Sequence, residues 1–501
     1  MRSSKSRSLD GPSKRKILIT LGLILIVLTS FFGGYFTQYA LRGTGEKVVS
    51  DVMHIMDQVG YVYDKETDTY VKIEGNKIAQ IIAGNFLDGY SAYYTKEEYE
   101  EILKNNKGEY SGFGVSMTKE NSTSQAQNTN VLYGVACNSP AYQAGLKKND
   151  KIIKAQIEGQ EEVTISNGKQ LNEFFDISSK DQNVTFTIER QGLAQPIEIT
   201  TSKQDYTVCY VTYQDSENFV YFKQDYDKKV VSVDNVLEYI NVTANPMQSV
   251  FDPDKNQPTD MGDDVALITL SAFEGDAAYQ LGAAIKYMLS VGRTKLILDL
   301  CDNGGGSMSV LKDVATYLIY NYNNGNNRIA IATDKLDATT QEEFMAQGAR
   351  TTYYTAYGRN FDTRIEEITV MANSNTASAS ECLIGAMIWY GERPVPDGKE
   401  KNLERFDRSK LVVIDDDGDG VYATYGKGIM QTTYKLSSGG AIKLTTAKLV
   451  WPDERTCIHR VGIKPIDQEG IQYVDNMQNT YQDGLNRAVA ILTDGILPPV
   501  E

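Results

Sequence analysis

The sequence predicts an α/β core, a mixed sheet flanked by helices, together with a small β-rich domain and an N-terminal transmembrane helix. Three observations predict it. From Asp263 onward strand-like and helix-like segments alternate, as VALITLSAF, AAYQLGAAIKYMLSVG, TKLILDL and VLKDVATYLIYNY. A strand, a crossover helix and a second strand imply parallel neighbours in one sheet. Between Gly108 and about Lys203, short segments such as YSGFGVSM, NVLYGVAC and VTFTIERQG are split by Gly and Asn, the pattern of a compact β module. The stretch from Ile17 to Leu41 carries no charged residue and is long enough to cross a bilayer.

A chain of 501 residues holds two to four domains as a soft expectation. With 41% hydrophobic and 23% charged residues it reads as globular. Its formal net charge of −16 argues against a nucleic-acid partner, whose phosphates call for a basic face. The five cysteines, Cys137, Cys209, Cys301, Cys382 and Cys457, are odd in number and lack any CxxC spacing, which disfavours a disulfide framework or a zinc site. His54 and His459 are the only histidines, so HExxH metal chemistry is absent and a Ser-His-Asp triad would have to recruit one of the two.

Taken in order, residues 1–16 form a basic cytoplasmic tail with Arg2, Lys5, Arg7, Lys14, Arg15 and Lys16, and residues 17–41 form the anchor. A cleaved signal peptide is the rival, but the apolar run is long for one and no small-x-small cleavage site follows. Residues 42–107 are expected to be a helical region, opened by the amphipathic VVSDVMHIMDQV, in which His54 is a helix-face histidine. Residues 108–203 are the β-rich domain, and 204–262, rich in Tyr, Asp and Asn with short strand candidates such as FVYF and a turn-prone FDPDKNQPTD, read as a linker or insertion. The core spans 263–501, with an insertion at about 393–424.

Within the β-rich domain, Gly112-Phe113-Gly114-Val115 precedes a strand, and NSPAYQAGLKKNDKIIKA runs from Asn138 to Ala155. Together they resemble a PDZ domain, with its carboxylate-binding loop and its S-P-A-x-x-A-G-L-x-x-x-D-x-I signature. Glycines let successive amides point into one concavity and hold a terminal carboxylate, while the peptide adds a strand to the sheet edge. A glycine-rich strand end without ligand is the plainer reading of GFGV alone.

Chemistry concentrates at three places in the core. DLCDNGGG, from Asp299 to Gly306, runs from a strand end into a glycine turn and a helix, where exposed amides stabilise an oxyanion. ITVMANSNTASASECLIGAMIWYG is a strand, a polar turn and a helix starting near Ala379, which puts Ser378 at the helix N-terminus, exposed and beside free amides, and Ser380 inside the helix. N-capping is the ordinary job of a serine there. Third, Lys427 stands between Gly426 and Gly428, so it can be brought against another backbone and desolvated. Desolvation disfavours the ammonium, and a neutral amine can then act as a base toward a serine hydroxyl. Moving a lysine from about 10.4 to about 7.5 costs roughly 4 kcal/mol, which the fold must supply.

From about Val48 to about Asp467 the chain resembles the C-terminal processing peptidases, or tail-specific proteases. The resemblance rests on NFLDGYSAYYTKEEYEEI, SPAYQAGL, LILDLCDNGGG, TASASE, YGKGIMQ and IKLTTAK followed by GIKP, in that order. It implies an α/β protease core with Ser378 as nucleophile, Lys427 as general base and Gln431 supporting the lysine. It also implies an oxyanion hole made of the Gly305 or Gly306 amide with that of Ala379. His459 is the residual alternative as base, and Ser380 packs or caps.

Two departures bear on the glycine turn: Cys301 stands where the family has arginine, and Asn303-Gly304-Gly305-Gly306 replaces N-P-G-G. The separation of 49 positions from Ser378 to Lys427 exceeds the family's usual spacing, and within it Asp415-x-Asp417-x-Asp419-Gly420 is the first half of a calcium loop. Its twelfth position is Gly426 rather than a bidentate Glu, so a solvated acidic turn stands beside the calcium reading.

The resulting expectation is a serine endopeptidase anchored in the cell membrane by a single span, its catalytic part outside the cytoplasm. It would need no cofactor or metal, and would act on protein or peptide substrates with accessible C-termini through Gly112, Phe113, Gly114 and Val115. A homo-oligomer is left open. The rival is a membrane-anchored PDZ adaptor whose protease fold is inactive.

Overall fold

The computed structural model describes residues 61–64, 68–72, 75–107, 109–119, 128–136, 138–216, 219–224, 240–244, 261–320, 326–334, 350–357, 360–392, 405–415, 417–466, 470 and 472–493. The basic tail, the expected anchor at 17–41 and His54 lie outside them. Among the described residues no helix is long and apolar enough to cross a membrane. The chain divides into two units, Met1–Gly89 and Tyr90–Glu501.

In the first unit, β1 (Tyr61–Asp64) and β2 (Thr69–Lys72) form an antiparallel hairpin followed by helix α1 (Gly75–Phe86). Part of the region expected to be helical is therefore strand. The YVYD and TYVK segments are aromatic and β-branched, and Asp68, at φ +54, supplies a left-handed turn residue between them.

The second unit opens with β3 (Ala92–Tyr94) and α2 (Lys96–Asn105). Thr95 and Glu98 close a capping box at the start of α2, the Thr95 amide donating to Glu98 Oε2 at 2.7 Å. A β-rich module follows: β4 (Glu109–Gly112), β5 (Val115–Lys119), β6 (Asn128–Val135), α3 (Pro140–Ala144), β7 (Lys151–Ile157), β8 (Val163–Thr164), α4 (Gly168–Ile177), β9 (Asn183–Glu189), β10 (Ile197–Ser202) and β11 (Gln204–Thr207). Its sheet runs β10-β9-β7-β6-β5, with β8 on β7, and β11 pairs with β4. Strand β5 is thus an edge. Leu132, Leu146, Ile152, Phe174 and Phe186 fill the core.

The SPAYQAGL segment folds as its chemistry dictates. Ser139 caps α3 by accepting from the Tyr142 amide at 3.1 Å, Pro140 occupies the first turn, and Gly145 ends the helix at φ +94. Asp150, fully buried, accepts a two-pronged bond from Arg190 at 2.7 and 2.8 Å.

The catalytic-type core carries β12 (Val211–Gln214), β13 (Phe219–Gln224), β14 (Ile240–Ala244), β15 (Val265–Leu270), α5 (Ala277–Ser290), β16 (Lys295–Asp299), α6 (Met308–Leu318), β17 (Asn326–Asp334), β18 (Arg350–Tyr357), β19 (Glu367–Asn373), α7 (Ala379–Gly391), β20 (Leu411–Ile414), β21 (Ile429–Lys435), β22 (Ala441–Val450), β23 (Met477–Gln478) and α8 (Tyr481–Thr493). One sheet has the order β14-β13-β12-β15-β16-β19-β20-β23, parallel from β15 onward. Alternate residues face opposite layers: Leu296 and Leu298 pack with α5, α6 and α7, while Ile297 packs with α8. The second sheet runs β18-β17-β22-β21, with β3 also on β22.

The expectation of a linker is corrected here. Residues 204–262, expected as a linker or insertion, supply β11 to the module and β12–β14 to the main sheet, where β12 pairs antiparallel with β15. The stretch 393–424, expected as an insertion, contains β20, whose four residues are all buried between β19 and β23. A strand covered on both faces is a short continuous apolar run, and LVVI is easily passed over among charged neighbours.

Candidate active site

The turns leaving β16 and β19 lie side by side at the carboxyl ends of two adjacent parallel strands, where open α/β sheets place ligands. Asn303, fully buried, joins them. Its Nδ2 donates to the Leu270 carbonyl at 2.8 Å, and its carbonyl accepts from the Ala377 amide at 3.0 Å and from Ser380 Oγ at 2.9 Å. Ser380 thus packs inside α7 and ties it to the glycine turn. Gly305 has φ +99, and a Cβ there would lie 2.7 Å from the Ala377 carbonyl and 2.8 Å from both Ser378 Cβ and the Ala379 nitrogen. Only glycine lets the two turns touch.

Of the expected oxyanion donors, the Gly305 amide is already engaged, donating to Asn303 Oδ1 at 2.9 Å. The amides of Gly306 and Ala379 form no hydrogen bond among the described residues. That leaves Gly306, at φ +142, and Ala379 as the pair available to an incoming oxygen.

Ser378 joins β19 to α7 at φ +59, ψ −112. A non-glycine residue in this region stores roughly 1–3 kcal/mol of strain, which persists where surrounding bonds over-determine it. The serine is half-buried rather than exposed as expected, because the glycine turn covers it.

The bonds that hold it converge on Glu381. This carboxylate is fully buried and accepts from the Ser378 amide at 2.8 Å, the Lys427 amide at 2.9 Å, the Gly426 amide at 2.8 Å and Thr424 Oγ1 at 2.5 Å. Burial pushes the Glu381 carboxyl above its ordinary range, and the four donors pull it partly back. Thr424 is fixed in turn by Ile463, whose amide donates to its hydroxyl at 2.8 Å. Sequence reasoning passed over Glu381. The signal available was its place three residues after Ser378, the S-x-x-E spacing of a capping box.

Lys427 is half-buried, and its flanking glycines permit a close crossing of two backbones. A Cβ on Gly426 would stand 2.9 Å from the amide nitrogens of Val461 and Gly462, and one on Gly428 would stand 2.8 Å from that of His459. His459 therefore borders the lysine's own backbone. The Lys427 ammonium lies over the Tyr90 ring, 5.1 Å from its centroid. Gln431 follows on β21 and donates from Nε2 to Thr445 Oγ1 at 3.2 Å.

In the module, Gly112 and Gly114 take φ +150 and +83, and a side chain on Gly114 would collide with Ser139. Phe113 buries its ring against Phe175 and Phe186, and the amides of Phe113 and Gly114 have no partner among the described residues. This loop, Val115 included, lines a cavity of about 690 Å³ whose far wall is the core, with Leu267, Asp299 and Tyr481. Beside it, Lys148 of the module pairs with Asp302 of the glycine turn at 3.2 Å.

The acidic turn brings Asp415, Asp417 and Asp419 oxygens within 4.8 Å of one another. Asp415 already accepts three amides, from Gly418 and Asp419 at Oδ1 and from Gly420 at Oδ2. The turn is thus folded around its own carboxylate.

Residues 264–394 and 420–467 match the model of peptidase family S41. The core is therefore similar to the peptidases of family S41. The S41 match omits 395–419, which holds β20 and the acidic turn. The chain is similar to a probable CtpA-like serine protease of Staphylococcus aureus (strain N315), 24% identical over 424 residues, covering 83% of this chain and 65% of the relative. It is also similar to one of Staphylococcus epidermidis, 24% identical over 460 residues, covering 90% and 72%. The chain therefore spans a little under two thirds of the length of the first of these. Among solved structures it is similar to the photosystem II D1 C-terminal processing protease, at 18% identity, TM-score 0.42 and coverage of 84% and 86%. A putative S41 protease from Bacteroides fragilis matches at 14% identity, TM-score 0.44 and coverage of 82% and 87%.

Proposed function

We propose that this S41-like chain is a serine endopeptidase in which Ser378 attacks the peptide carbonyl and the neutral amine of Lys427 takes its proton. The observation that carries the reading is the shared acceptor: one oxygen of Glu381 receives the amides of both residues. The strained serine beside the unengaged Gly306 and Ala379 amides supports it, since donors aimed at a developing oxyanion need no reorganisation. Attack forms an acyl-enzyme on Ser378 Oγ, Lys427 passes the proton to the leaving amine, and water then releases the acyl group with the lysine again as base. Gln431 supports the lysine by fixing β21, the strand that follows it, through its bond to Thr445.

The module is read as a PDZ-type receptor for substrate tails: the loop amides take the terminal carboxylate, and edge strand β5 takes the backbone. The apolar stretch 17–41 anchors the chain, with the catalytic part outside the cytoplasm. The test is cleavage of a flexible protein by the full chain in detergent micelles, against Ser378→Ala and Lys427→Ala. Both variants should lose on the order of a thousandfold or more in rate. Undiminished cleavage by either one removes the dyad. An amidated C-terminus on the substrate should weaken its capture, and equal capture would remove the tail-binding reading.

A further inference from the structure

Tyr90 is fixed at both ends. Its backbone leads into β3, which pairs with β22, and the neighbouring Ser91 Oγ accepts from the Thr445 amide at 3.0 Å. Thr445 is the residue whose hydroxyl accepts from Gln431. At the other end, the Tyr90 hydroxyl lies 3.1 Å from that of Tyr425, two residues before Lys427. The ring is thereby held under the Lys427 ammonium by the elements that carry the lysine and Gln431.

A ring face attracts a cation through its quadrupole and gives a neutral amine little. Its effect is therefore state-selective: it favours the ammonium, the form in which the lysine cannot accept the serine proton. We propose that Tyr90 is a positioning residue for Lys427, which it holds over its ring as the ammonium at rest, setting the pH above which the lysine becomes a base. The inference rests on the reading of Lys427 as general base. Other groups lie around the same segment: the Glu381 carboxylate at the Lys427 backbone amide, the Tyr425 hydroxyl at that of Tyr90, and Cys457 and His459 against Gly428. Substituting Tyr90 changes none of these residues.

The experiment follows the rate of Ser378 labelling by a fluorophosphonate against pH, on the full chain in micelles. Tyr90→Leu keeps an apolar cover and removes the π face, so the acid limb should move down by about half to one pH unit. Tyr90→Phe, which keeps the ring and loses only the hydroxyl, should superimpose on the wild type, and Tyr90→Trp should move the limb up. A Tyr90→Leu profile unchanged from wild type, or a Tyr90→Phe shift as large as that of Tyr90→Leu, overturns the proposal. Should Tyr90→Leu fail to fold by its thermal midpoint, Tyr90→Trp decides, and no upward displacement overturns the proposal. Labelling of Lys427→Ala at the wild-type rate is a separate outcome: it removes the dyad itself, and the role of Tyr90 with it.

Discussion

The backbone amides of Ser378 and Lys427, 49 positions apart in the chain, donate to the same oxygen of Glu381 at 2.8 and 2.9 Å. A buried carboxylate with four donors sets where the two backbones stand, so it acts on the serine and the lysine together. Replacing it should disturb both at once.

Glu381→Gln puts an NH2 group where the carboxylate accepted, leaving buried donors unsatisfied at a cost of about 1–3 kcal/mol. Chemical denaturation should show that loss, and fluorophosphonate labelling of Ser378 should slow by roughly tenfold or more. Unchanged labelling with lowered stability would mean that the carboxylate is only structural.

The raised pKa of Glu381 has a pH signature. A carboxyl raised above its ordinary 4.5 on folding binds protons more readily in the native state. Its contribution to stability is fully present below 4.5 and is lost as pH rises through the folded value. The stability difference between wild type and Glu381→Gln should therefore vary with pH across that window and flatten above it. Denaturation curves recorded between pH 4 and 8 check this, and a constant difference would contradict it.

Gly305→Ala forces a Cβ to within 2.8 Å of Ser378 Cβ and the Ala379 nitrogen, at a φ of +99. The turns must part, which moves the serine away from the Gly306 amide. Expected are a lower thermal midpoint and a labelling rate down by about a hundredfold, in the range found when an oxyanion donor is lost.

The acidic turn should be indifferent to calcium. Asp415 already spends three acceptor positions on backbone amides, and the twelfth loop position is Gly426. Adding calcium or a chelator is expected to leave the thermal midpoint and the peptidase rate unchanged. A calcium-dependent rise in midpoint that Asp417→Asn removes would overturn this.

Several elements were legible in advance because their patterns are local. The alternation from Val265 to Leu318 reads as strand, helix, strand, helix, and all four form in that order. Ser378 and Ser380 were separable because two positions at a helix start place one before the first turn and the other within it. Of the strands in 211–244, FVYF was legible and lies in β13, but the place of these strands in the main sheet was not. Their neighbours are turn-prone, and their membership in the main sheet depends on pairing with β15 about fifty residues downstream of β12.

The sequence by itself determined the residue types that permit the chemistry: two histidines in 501 residues, a serine at a strand-to-helix turn, a glycine-flanked lysine and a glycine turn. What only the tertiary structure decided is which groups meet. Glu381 binds partners 43 to 46 residues away, Asn303 withdraws the Gly305 amide from the oxyanion set, and Tyr90 comes under Lys427 from the far end of the unit. The physical reason is that periodicity and turn propensity act over a few residues. A buried hydrogen bond or a cation over a ring depends on where the sheet brings distant segments together.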